Sequence, residues 1–169
     1  MAVIGNKAKV TSKSRVIDTL KKTDLFQGLE SEDIEQVAAQ VVTREYPKNS
    51  VVVTQGDDTD TLYVIIEGKV DVFLQNDKGK EIIINSLVAC DSFGELAPLG
   101  GIPRQASIVT TEVSLMAMIS RQVFMDTLLT KPAISMRIID RLIWLIQDLT
   151  QEVSSLALED VYNRVVRVL

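Results

Sequence analysis

The residues with chemistry in them crowd between Phe93 and Ile108, a stretch that reads Phe-Gly-Glu-Leu-Ala-Pro-Leu-Gly-Gly-Ile-Pro-Arg-Gln-Ala-Ser-Ile. Gly94 opens a short helical turn after one β-type run, and Arg104 returns nine residues after Glu95, just before the next run. Backbone N–H groups at the start of such a turn face an anion, and a guanidinium adds paired charge-assisted hydrogen bonds. Gly94, Leu96 and Ala97 are the candidates for close backbone approach or N–H donation. Pro98 lacks an N–H but is tolerated in a first helical turn. Glu95 is an acceptor for a hydroxyl. The competing reading is a plain Glu95–Arg104 salt bridge within a loop.

Composition excludes most other chemistry. The 169 residues contain no histidine and a single cysteine, Cys90. That removes the commonest general base, every Ser-His or Cys-His pair, an intrachain disulfide and a multi-thiolate metal site. The expectation is a non-enzyme in a reducing, cytoplasmic setting, with no metal and no cofactor. Even the most hydrophobic stretch, Ile134 to Leu149, is interrupted by Asp140, Arg141, Gln147 and Asp148, so no membrane span is expected. The N-terminus is polar where a signal peptide would be apolar. The formal charge of -5 is uneven, since residues 1–22 carry six basic groups against Asp18. Residues 1–18 read as a solvated basic arm, and the acidic remainder is a poor surface for DNA.

The elements that must hold the Phe93–Ile108 stretch are mostly strands. Val16 to Leu29 suits short helical turns, with Val16, Leu20, Leu25, Phe26 and Leu29 apolar. Ser31 with Glu32, Asp33 and Glu35 reads as an N-cap and acidic first turn of a helix ending near Val41. From Val42 onward the periodicity is β-type. Runs are predicted over Ser50 to Thr54, Thr61 to Glu67, Lys69 to Gln75, Glu81 to Val88, Ala106 to Thr111 and Val113 to Ile119, with turn residues between. Val70, Val72 and Leu74 alternate with more polar neighbours, the pattern of a half-buried strand. Short strands so spaced indicate a sandwich, jelly roll or barrel.

After Phe124 the pattern turns helical. Ile139, Leu142, Ile146, Leu149, Val153 and Leu156 follow spacings of 3, 4, 3, 4 and 3, a heptad seam. A second stripe of Ile134, Ile138 and Leu145, with Trp144 nearby, is expected to pack on the chain's own β-domain. A helix with two apolar faces needs two partners, so the seam points to a homodimer; a helix buried on both faces within one monomer is the alternative.

In these segments the sequence resembles cyclic nucleotide-binding domains, and among them the Crp–Fnr group of bacterial transcription regulators. Phe93 to Ala97 followed by Arg104 to Ile108 is similar to the family's phosphate-binding cassette, and the spacing of nine also resembles that of protein kinase A regulatory subunits. Gln55-Gly56-Asp57, Leu62-Tyr63-Val64-Ile65 and Glu67-Gly68-Lys69-Val70 resemble the family's glycine-marked strand turns. Leu25-Phe26 with Leu29 looks like its N-terminal entry, and Val153 to Ala157 with Asp160 to Val165 resembles the regulators' dimer helix, hinge and next helix. The resemblance implies a mainly β fold with flanking helices, a cyclic nucleotide-binding β-roll of jelly-roll type, plus a long C-terminal dimerisation helix. It divides the chain into a basic arm (1–18), the β-roll with its N-terminal helices (19–130), the dimerisation helix (131–158) and the start of a DNA-binding domain (159–169) whose reading helix is absent, as in a fragment of a longer regulator.

The resemblance further implies that Arg104 neutralises a cyclic phosphate, Glu95 binds the ribose 2'-OH, and Thr150 on the dimer helix lies against the base, next to a nonpolar Leu149. Gln105 stands where the familiar cAMP binders have a small residue and cGMP binders often have threonine. Cys90 stands where a glycine is usual. The ligand expected is cAMP, with cGMP as the alternative, and the function is ligand sensing coupled through a homodimer to DNA binding by a domain outside this chain. A ligand-independent dimerisation module, or a regulatory domain for a partner enzyme, are the other readings.

Overall fold

The computed structural model describes residues 13–76 and 79–166, with side chains of 152 and 155–166 left aside. Helix α1 (Lys13–Lys22), a 3-10 turn (Asp24–Phe26) and α2 (Ser31–Ala38) precede eight strands. These are β1 (Val42–Tyr46), β2 (Val51–Val53), β3 (Leu62–Glu67), β4 (Lys69–Gln75), β5 (Glu81–Val88), β6 (Ser92–Phe93), β7 (Ser107–Thr110) and β8 (Ser114–Ile119). A short helix α3 (Leu96–Gly100) joins β6 to β7, and α4 (Arg121–Thr130) and α5 (Pro132–Val166) follow. The strands form two antiparallel four-stranded sheets, ordered β1-β8-β3-β6 and β2-β7-β4-β5. This is the expected β-roll with flanking helices and a long C-terminal helix. Among the described residues, no helix is long and apolar enough to cross a membrane.

Strand β3 explains why there are two cores. Its run Leu62-Tyr63-Val64-Ile65-Ile66 is buried throughout, because alternate side chains leave opposite faces and both faces are covered. Leu62, Val64 and Ile66 join Leu115, Ala117 and Ile119 of β8 beneath the helices, where Leu20, Phe26, Val37, Phe124 and Ile134 complete one cluster. Tyr63 and Ile65 face the interior between the sheets with Tyr46, Val53, Val70, Phe93, Ile108 and Met116. Gly68 makes the β3–β4 turn at a φ of 102°, and a β-carbon there would run into Ser114.

Several expectations need correction. Ser31 is the first helical residue of α2 rather than its N-cap, since Glu30 holds the extended cap position with no side-chain bond. That helix ends at Ala38, and Val41 packs on the helical core from the connection. Strands β1 and β6 were not among the expected runs. β1 buries only Tyr46 fully, so its apolar alternation is faint, and β6 is two residues long. In β4, Val70 is buried but Leu74 is exposed, because a bulge between Val72 and Phe73 shifts the register against β5. α1 starts at Lys13, inside the span read as a basic arm; its Arg15 is paired with Glu67 at 2.7 Å, and residues 1–12 lie outside the described residues. α5 is continuous from Pro132 to Val166, with no break where a hinge is expected.

The inward stripe of α5 is shorter than its sequence suggests. Ile134 and Ile138 are buried and Leu142 packs against the same core, but Leu145 is 38% exposed and Trp144 64% exposed. Leu145 has the right rotation about the axis and lies about 16 Å beyond Ile134, past the edge of the β-roll. Trp144 is rotated roughly 80° off that face. Of the seam residues, Ile139, Ile146, Leu149 and Val153 are exposed, Leu142 serves the chain's own core, and the Leu156 side chain is outside those described. Truncating Ile134 to alanine is expected to cost about 3 kcal/mol in urea unfolding, while Trp144→Ala costs less than about 0.5 kcal/mol in the monomer. Equal losses for the two would overturn this assignment of the packed face.

Candidate functional site

Chain direction and backbone geometry bring the Phe93–Ile108 residues together around Arg104. Strand β6 ends at Phe93, and Gly94 turns the chain into α3 at a φ of 84°, a left-handed conformation open to glycine at low cost. A β-carbon at Gly94 would collide with Nη1 of Arg104 and press on the Thr61 carbonyl at 3.2 Å. The glycine is therefore a close-approach residue as well as a turn residue.

Arg104 is 4% exposed. Its Nε donates to Thr59 Oγ1 at 3.0 Å, Nη1 to the Gly94 carbonyl at 2.9 Å, and Nη2 to the Thr61 carbonyl at 2.7 Å. Its main chain is fixed too: its N–H donates to Asp57 O at 2.9 Å, and Gly56 N–H donates to Arg104 O at 2.8 Å. All three side-chain acceptors are neutral, and among the described residues no carboxylate ion-pairs with it. The Glu95–Arg104 salt bridge is thus not formed. Burial pulls the guanidinium's pKa below its ordinary value, opposed by Tyr63, Asp60, Asp57 and Glu95 in its surroundings.

Glu95 is engaged elsewhere. Its Oε1 lies 3.3 Å from Nε of Arg141 on α5, and Arg141 also donates to Ser92 Oγ at 3.1 Å and Ser92 O at 3.3 Å. Arg141 was expected only as a break in an apolar run; nothing in its spacing marks it, because its partners are brought near by the fold. A cavity of about 230 Å³ opens among these groups, lined by Gly94, Glu95, Leu96, Ala97, Arg104 and Gln105 from the cassette stretch, with Val72, Ile84 and Leu87 apolar across from them and Arg141 at its edge. Gln105 donates from Nε2 to Pro103 O at 2.7 Å. The first N–H groups of α3 have no partner inside the helix.

Six of the seven expected ligand residues therefore line one cavity. The seventh, Thr150, does not. It is exposed, donates to Ile146 O at 2.7 Å, and sits about 13 Å along α5 beyond Arg141. Cys90 adopts a φ of 73° in the β5–β6 turn, the left-handed conformation of the glycine it replaces.

Residues 43–131, more than half of the chain, match the family described as the cyclic nucleotide-binding domain. The chain belongs to that family. This cyclic nucleotide-binding domain is 29% identical, over 90% of its length and 68% of the relative's, to the "CRP-like cAMP-activated global transcriptional regulator" of Mycobacterium tuberculosis. It is 34% identical to the "cAMP-dependent protein kinase type II regulatory subunit" of Drosophila melanogaster, over 69% of this chain and 30% of that protein. Its fold superposes on the Thermus thermophilus catabolite activator protein with a TM-score of 0.75 at 25% identity, covering 80% of this chain and 63% of the other. The domain is thus homologous both to Crp-type regulators and to kinase regulatory subunits. Substituting Gly94 by alanine is expected to lower stability by about 1–2 kcal/mol from the left-handed backbone alone, and more from the clash with Arg104; an unchanged urea midpoint would contradict the close approach.

Proposed function

We propose that this domain senses a cyclic nucleotide, cAMP first and cGMP as the alternative, and transmits occupancy through α5 to a DNA-binding domain outside the chain. The observation that carries the reading is Arg104, a buried cation in the cavity whose hydrogen-bond partners are all neutral. A buried charge without a counter-charge is costly, and an anionic ligand would offset that cost. A cyclic phosphate at Arg104 and the N–H groups of Leu96 and Ala97, with the ribose 2'-OH at Glu95, uses the cavity's polar groups. Gln105 sits beside the anion position and bears on which base is accepted. The Mycobacterium relative, named as cAMP-activated, supports the first choice of ligand.

Coupling runs through Glu95. A hydroxyl on Glu95 competes for, or is shared with, the carboxylate that Arg141 grips, so ligand and helix pose are linked. The exposed apolar residues Ile139, Ile146, Leu149 and Val153 then pair with a second α5 in a cytoplasmic homodimer. A regulatory role toward a partner enzyme has the kinase subunit's similarity behind it, but the length of α5 and its exposed seam favour the dimeric regulator.

At about 100 times its dissociation constant, cAMP is expected to add about 2.7 kcal/mol of stability, a rise of several degrees in Tm for a domain of this size. Arg104→Ala abolishes the rise. No shift with either cAMP or cGMP would leave the ligand-independent module standing instead. Leu149→Asp is expected to sediment as monomer where the unsubstituted chain sediments as dimer, and a persistent dimer would discard the α5 seam.

A further inference from the structure

Arg104 is held in an unusual way for a buried arginine. Alternate residues along the entry to β3 meet it: Thr59 accepts from Nε, the Thr61 carbonyl accepts from Nη2, and the ring of Tyr63 lies under the guanidinium with its centroid 5.8 Å from Cζ. Tyr63 is itself fixed. It is 6% exposed and stacks on Phe93, the residue before Gly94, at 5.0 Å and an interplanar angle of 7°. The ring is thus wedged between the interior core and the guanidinium, on the strand that both cores share.

The chemistry of that arrangement differs from an ion pair. A carboxylate under Arg104 would fix its plane and also cancel its charge. An aromatic face attracts the cation through its quadrupole, lowers the cost of burial, and leaves the net positive charge in place. Three of the five guanidinium N–H groups go to neutral oxygens, leaving two for a ligand. The nearby carboxylates of Asp57, Asp60 and Glu95 act on Arg104 at longer range, and Glu95 is taken up by Arg141.

We propose that Tyr63, together with Thr59, is a positioning residue for Arg104: the ring and the hydroxyl hold the guanidinium in one plane without neutralising it, so that its two remaining N–H groups and its charge are reserved for the ligand's anion. The inference rests on the cyclic-nucleotide reading for the identity of that anion, but the positioning itself is carried by the domain's own residues.

Two measurements separate these levels. Titration calorimetry with cAMP compares the unsubstituted protein with Tyr63→Leu, which removes the ring, Tyr63→Phe, which keeps it, and Thr59→Val. In parallel, the side-chain Nε–H resonance of Arg104, assigned by its loss in Arg104→Lys, is followed in the unliganded proteins. Tyr63→Leu is expected to weaken cAMP by about fivefold and to broaden or erase the Nε–H signal while the amide spectrum stays dispersed; Tyr63→Phe recovers most of both. Unaltered affinity and signal in Tyr63→Leu would overturn the proposal, and so would weaker binding with an unaltered Arg104 signal, because the ring would then act elsewhere. Should Tyr63→Leu not fold, Thr59→Val, at an exposed position, decides: faster exchange of the Nε–H with weaker cAMP binding supports the cradle, and no change in the Nε–H refutes it. If the unsubstituted protein binds neither cAMP nor cGMP, the function reading fails on its own, and the Arg104 signal still judges the positioning.

Discussion

A single arginine ties its own segment to two others, the β2–β3 loop more than forty residues away and the β6–α3 turn ten residues away. Arg104 bonds the β2–β3 loop through Thr59, Thr61, Gly56 and Asp57, and bonds the β6–α3 turn through the Gly94 carbonyl. The three side-chain bonds, to Thr59, Thr61 and Gly94, are charge-assisted bonds to neutral oxygens, each stronger than a neutral pair but none supplying a counter-charge, while those to Gly56 and Asp57 are main-chain amide bonds. The guanidinium is therefore held in place without a directly paired carboxylate. A binding group held in place in advance lowers the ordering cost of taking up a ligand.

The β-roll is what makes such a cradle affordable to bury. β3 is covered on both faces, by helices on one side and by the second sheet on the other, so its entry loop starts from a fixed point. Tyr63 faces inward and Leu62 outward from adjacent positions, which means the strand's register alone decides that a ring, rather than an aliphatic side chain, lies beneath Arg104. Further into the same core, burial raises the Tyr46 hydroxyl to a pKa of about 12, helped by Tyr63 and opposed by Arg44.

How much of this could be read from the sequence follows from the range of each interaction. The Gly94, Glu95 and Arg104 cluster was legible because glycine, carboxylate and arginine sit within one connection. β4 and β5 were legible end to end, since their alternation or turn-bounded length is written in consecutive residues. Arg141 and Tyr63 were not, because each acts on a partner dozens of positions away that only the tertiary fold supplies. Trp144 and Leu145 were misplaced for a related reason. Helical periodicity gives the rotation of a side chain but not the point along the axis where the β-roll ends. Thr150, aligned by resemblance to the base, falls outside the cavity by the same arithmetic of rise per residue.

The strength of the contact between the site and α5 bears on the coupling proposed above. The Glu95–Arg141 pair is 3.3 Å long, and the arginine side chain is 38% exposed. An ion pair of that exposure is worth at most about 1 kcal/mol, although the two bonds to Ser92 add to the grip. Ile134 and Ile138, by contrast, anchor the first turns of α5 through full burial. The helix is therefore fixed at its base and held only lightly at Arg141, one turn before it leaves the roll. Under the coupling proposed above, a ligand at Glu95 works against an ion pair of about 1 kcal/mol together with the Ser92 bonds and the packing of Leu142.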